Sequence, residues 1–88
     1  MKKLEKGIDV LCIFTMGTSP PIPRKFKIKY KNGQIKTVEV DQIRQIENLL
    51  PSGLHNYVYH CISEVEECII EYELRYFVKD MRWELYRV

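Results

Sequence analysis

The sequence predicts an all-β chain, and three observations carry that prediction. From Cys68 onward, Ile70, Tyr72, Leu74 and Tyr76 alternate with Glu71, Glu73 and Arg75, the two-residue period of a strand with one face buried and one in water. Trp83 and Leu85 repeat that spacing beyond Lys79-Asp80, so residues 68–88 read as a hairpin. Lys31-Asn32-Gly33-Gln34 joins two further alternating runs, and Asn-Gly in that setting is the strongest short-range hairpin signal.

The elements follow in chain order. Residues 1–6 form a polar leader, and Ile8, Val10, Cys12 and Phe14 then line one face of a first strand whose other face carries Leu11 and Ile13. Residues 17–23 form a loop, since three prolines in four positions remove amide donors and stiffen the crossing to the next strand. In the Asn-Gly hairpin, Phe26, Ile28 and Tyr30 face the core with Val38 and Val40, while Lys25, Lys27, Lys29 and Lys36 face water.

Residues 41–50 admit two readings. Ile43, Ile46 and Leu50, spaced by three and four behind Asp41, suit one short helix with an N-cap. The same residues also suit a third strand carried on around a bend. Pro51-Ser52-Gly53 ends this stretch, and Tyr57, Tyr59 and Cys61 then mark the core face of the next strand, with His60 and Glu64 on its other side. The sum is six antiparallel strands, most economically curled into a small SH3-like or OB-like barrel that leaves few free edges.

An 88-residue chain holds one domain, residues 1–88 including the leader, with 45% apolar and 30% charged residues. That balance excludes a disordered chain and a membrane span. Cys12, Cys61 and Cys68 are odd in number and lack a C-x-x-C pair, which points to buried thiols in a reducing cytoplasm. The net charge of +2 hides a basic block, Arg24, Lys25, Lys27, Lys29, Lys31 and Lys36, and an acidic one, Glu64, Glu66, Glu67, Glu71 and Glu73.

Ile8-Asp9-Val10-Leu11-Cys12-Ile13-Phe14, Tyr59-His60-Cys61, Glu73-Leu74-Arg75-Tyr76 and Trp83-Glu84-Leu85-Tyr86-Arg87, taken in this order, resemble a group of short bacterial proteins of unknown function. The resemblance runs from Gly7 to the end of the chain and rests on core positions. It implies a bent strand over residues 41–46 and brings no catalytic residue with it.

No enzyme is expected. His55 and His60 are the only imidazoles, and alternation turns His60 away from Cys61, so the adjacent pair forms no dyad. The cysteine spacings match no zinc site, Glu71 and Glu73 share a strand face without an apolar pocket, and no cofactor motif is present. The chain therefore reads as a non-enzymatic binding module. The foremost expectation is a protein partner or a second copy, docking on an outer apolar surface of Leu11, Ile13, Val58, Ile62, Tyr86 and Val88. The alternative is nucleic acid held by Arg24, Lys25, Lys27, Lys29, Lys31 and Lys36.

Overall fold

The computed structural model describes residues 2–14 and 20–88. Seven strands form one antiparallel sheet: β1 (Lys3–Ile13), β2 (Ile22–Lys29), β3 (Ile35–Glu39), β4 (Gln42–Leu49), β5 (Asn56–Val65), β6 (Cys68–Phe77) and β7 (Arg82–Arg87). A 3-10 turn, Pro51–Gly53, separates β4 from β5. The strand order is β3-β2-β1-β7-β6-β5-β4, and the sheet curls into a half-barrel. None of the helical structure described is long and apolar enough to cross a membrane.

Two strand changes make the curl. β1 pairs with β7 from Lys3 to Ile8 and with β2 from Asp9 to Ile13, so one strand serves two parts of the sheet. At the far side Val40 donates its N–H to the Arg24 carbonyl at 2.9 Å, and Asp41 donates to Ile62 at 3.2 Å. The chain thus leaves β2 and joins β5 within two residues. Ser63 closes the seam: its hydroxyl donates to the Glu39 carbonyl at 2.5 Å and accepts from the Tyr72 hydroxyl at 2.6 Å.

The strand count corrects the expectation of six strands, and of the two readings of residues 41–50 the bent strand holds and the helix does not. Asp41 does not cap a helix; its carboxylate accepts the Glu64 amide at 2.7 Å. Ile43 lies opposite Cys61 and Gln45 opposite His60, so Arg44 is an extra residue, a β-bulge. That extra residue brings Ile43 and Ile46 to the same inner face three positions apart, and a bulged strand therefore imitates helical spacing. The polar leader is also corrected, because residues 3–6 belong to β1. Residues 17–19 of the expected loop lie outside the described residues, whereas Pro21 and Pro23 are buried and the Pro21 carbonyl accepts the Tyr59 hydroxyl at 2.5 Å.

The inner face is the core: Phe26, Val38, Tyr59, Cys61, Tyr72, Leu74, Tyr76, Trp83 and Leu85. Its aromatic rings touch in pairs, with centroids 5.2 Å apart for Tyr59 and Trp83, 4.8 Å for Tyr76 and Trp83, and 5.4 Å for Phe26 and Tyr72. Ile8, Val10 and Cys12 pack against this cluster as alternation in β1 requires. Cys61 is buried and Cys12 half-buried, but Cys68 is exposed at the β5–β6 turn, which corrects the expectation of three buried thiols.

Candidate functional site: a basic outer face

Strand β2 is built by alternation. Phe26 and Ile28 point into the half-barrel, so Lys25, Lys27 and Lys29 stand together on its outside. Arg24 is the extra residue of a second bulge, because Leu11 lies opposite Lys25 while Cys12 lies opposite Pro23. Lys31 is exposed on the hairpin turn, where Gly33, at φ +86°, donates to the Tyr30 carbonyl at 3.0 Å. A positive φ there suits the Asn-Gly pair.

Cross-strand neighbours set the local charge. Lys25 lies between Leu11 and Glu39, Lys27 between Asp9 and Thr37, and Lys29 beside Ile35. Among the described residues none of Arg24, Lys25, Lys27, Lys29 and Lys31 forms an ion pair within 4.0 Å. Five of the twelve acids, Glu47, Glu66, Glu67, Glu71 and Glu73, lie on β4, β6 and the β5–β6 turn. The opposed blocks meet at one ion pair, Lys36 with Glu66, and the β2 cations are kept from the β6 acids by β1 and β7, which stand between them.

Lys36 departs from the expected set. It lies directly opposite Ile28, on the inner side of β3, and its ammonium sits 2.6 Å from the Glu66 carboxylate. That hydrogen bond raises the Lys36 pKa above its ordinary value and lowers that of Glu66. Two basic residues missing from the sequence reading stand close to the β2 lysines. Lys6 donates through Nζ to the Lys29 carbonyl at 2.9 Å, and Arg82 opens β7 beside the bend of β1. Both arrive through long-range pairing, for which a single sequence carries no local signal.

The apolar surface expected from Leu11, Ile13, Val58, Ile62, Tyr86 and Val88 does not come together. Leu11 and Ile13 lie on the part of β1 paired with β2, whereas Val58 and Ile62 lie on β5, beyond β7 and β6. Val58 and Tyr86 are only 3% and 8% exposed. The Arg75 guanidinium lies 3.6 Å from the Tyr86 ring centroid, with Arg87 at 4.8 Å and Lys3 at 5.6 Å. Long cationic side chains thus fold back over the aromatic ring and cover it. Val88 is exposed at the chain end, and Ile62 is half-buried.

His60 is more constrained than a plain surface histidine. Its Nε2 lies 3.1 Å from Glu47 and its Nδ1 lies 2.8 Å from Glu73, and Arg87 reaches the other Glu73 oxygen at 3.5 Å. Glu73, expected in water, is buried under these partners, whereas Glu71 is exposed. Among the described residues no hydroxyl or thiol hydrogen-bonds to His60, and Cys61 points into the core. The arrangement orients an imidazole without supplying a nucleophile. His55 bonds Asn48 at 2.6 Å and leans on Tyr57. Among the described residues no three His, Cys, Asp or Glu side chains gather to hold a metal ion.

Fold and site together define a small curled β-sheet domain with one basic outer face. Comparison with family models, with curated proteins and with solved structures finds no match.

Proposed function

We propose that this protein is a non-catalytic nucleic-acid-binding module, a small SH3-like or OB-like barrel working in the reducing cytoplasm. Phosphates contact the outer face of β2. One observation carries the reading: Arg24, Lys25, Lys27, Lys29 and Lys31 lie on one strand and its turn with no ion-pair partner among the described residues. A cation without an acid partner exchanges only water and counterions for phosphate, so contact releases counterions and strengthens binding at low salt. Asp9 and Glu39 temper the face without pairing any of the five.

Titration of a labelled single-stranded oligonucleotide tests this. Five phosphate contacts predict that log K falls against log salt with a slope of about −3.5, or roughly a hundredfold between 50 and 200 mM. No binding at low salt, or an affinity indifferent to salt, would sink the proposal.

A protein partner is a second reading, favoured by a different observation. β4 is paired on one side only, and its end carries exposed Leu49, Leu50 and Leu54. A free edge offers backbone donors and acceptors to an added extended segment. On this reading Leu50→Glu with Leu54→Glu abolishes concentration-dependent association in sedimentation and leaves oligonucleotide affinity unchanged. A strict monomer that behaves like the double variant would remove this reading.

A further inference from the structure

Where β1 turns from β7 to β2, a depression of about 400 Å³ opens between β1 and β2, with Lys27, Lys29 and Ile35 at its outer rim and the core residues Ile8 and Trp83 deeper in. Its origin is local. Gly7, opposite Glu84 on β7, puts no side chain on the outer face, and a Cβ built there would meet nothing within 4 Å. β1 pairs with β2 from Asp9 onward, so the two strands part at Gly7, where the Lys6 ammonium reaches across to the Lys29 carbonyl.

The lining is cationic and one-sided. Lys27, Lys29 and Arg82 surround the depression, Lys6, opposite Leu85 in register, reaches into it across the gap, and exposed Ile35 together with Ile8 and Trp83 gives it an apolar wall. Asp9 is the acid in the lining, and it lies opposite Lys27. Glu84, beside the floor, is nearly buried and bonded by the Arg82 guanidinium at 2.9 Å. The volume falls within the range of pockets that take small ligands, about 300–1,000 Å³.

We propose that this depression receives one nucleotide, its phosphate among Lys6, Lys27, Lys29 and Arg82 and its base or sugar against Ile35. The proposal rests on the nucleic-acid reading above and deepens it. The nucleotide belongs either to a strand lying along β2 or to a free mononucleotide, and the two share this chemistry.

The experiment titrates labelled twelve-residue oligothymidylate and oligouridylate against four proteins: wild type, Gly7→Val, Asp9→Asn and Lys27→Glu with Lys29→Glu. Gly7→Val fills the floor with a side chain that suits a strand and changes no charge. It is expected to weaken binding about tenfold at an unchanged melting temperature, while Asp9→Asn tightens it severalfold. Reversal of the two lysines should weaken it at least about a hundredfold.

Should Gly7→Val fail to fold, Ile35→Glu reads the same depression from the hairpin side, with a loss of similar size. Thymidine monophosphate is added as competitor. Displacement from wild type but not from Gly7→Val shows that a free nucleotide suffices, and absence of displacement from wild type assigns the depression to the strand. Wild-type affinity in Gly7→Val, or in Ile35→Glu where that variant replaces it, overturns the depression while the lysine reversal upholds the wider function. Equal displacement from wild type and Gly7→Val also overturns the depression. Indifference to the lysine reversal overturns the function itself.

Discussion

Raising the pH from 9 to 12 is expected to unfold the protein in one steep transition. Burial pushes the Cys61 thiol from 9.0 up to about 12. It also pushes the Tyr59 and Tyr72 hydroxyls well above the ordinary tyrosine value of 10.0. All three residues are at most 3% exposed. Because their folded-state pKa values are raised, the unfolded chain gives up its protons first. Their contribution to stability is complete below about pH 9 and is lost as the pH climbs.

The size follows from about 1.4 kcal/mol per pH unit for each such group. Cys61 accounts for the fall between about pH 9 and 10, and the two tyrosines steepen it above pH 10. By about pH 11 the sum is roughly 5 kcal/mol, most of the stability of a small domain at the lower end of the usual range. Circular dichroism should therefore collapse near that pH, with Tyr59 and Tyr72 ionising in the same transition by absorbance. Free titration of all six tyrosines near pH 10 with an unchanged fold would contradict this account of the core.

Trp83→Ala is expected to cost about 3–5 kcal/mol, enough to leave the chain largely unfolded near physiological temperature. The indole is 6% exposed and lies between Tyr59 and Tyr76, with centroids at 5.2 and 4.8 Å. These neighbours cannot close the gap. Tyr59 is held by its hydroxyl to Pro21, and Tyr76 sits in the interior strand β6, paired on both sides. Trp83→Phe, which keeps a ring against both tyrosines, should cost clearly less. Urea midpoints followed by circular dichroism check both, and a loss below about 1 kcal/mol for the alanine variant would show that the aromatic cluster is not the stabilising centre.

Much of the fold was legible because alternation is a local property. The core sides of β5, β6 and β7 follow from Tyr59, Cys61, Tyr72, Leu74, Tyr76, Trp83 and Leu85, and the Asn-Gly turn joins β2 to β3 as expected. The misreadings cluster where one extra residue interrupts that alternation or where strands distant in sequence meet. Arg44 converts a strand's period into an apparent helical one. Lys36 shares parity with Val38 and Val40, and the register opposite Ile28 carries it inward to Glu66.

The candidate site divides in the same way. Lys25, Lys27 and Lys29 share a face because they alternate along one strand, which the sequence by itself determined, as it did the all-β character and the composition of the core. Only the tertiary structure decided that Lys6 and Arg82 stand near them. It also decided that arginines cover Tyr86, that Val58 and Leu11 lie strands apart, and that Gly7 leaves a depression where β1 changes partner. The reason is physical: side-chain direction along a strand depends on neighbours one or two residues away, whereas pairing, bulge position and surface contiguity depend on residues tens of positions apart.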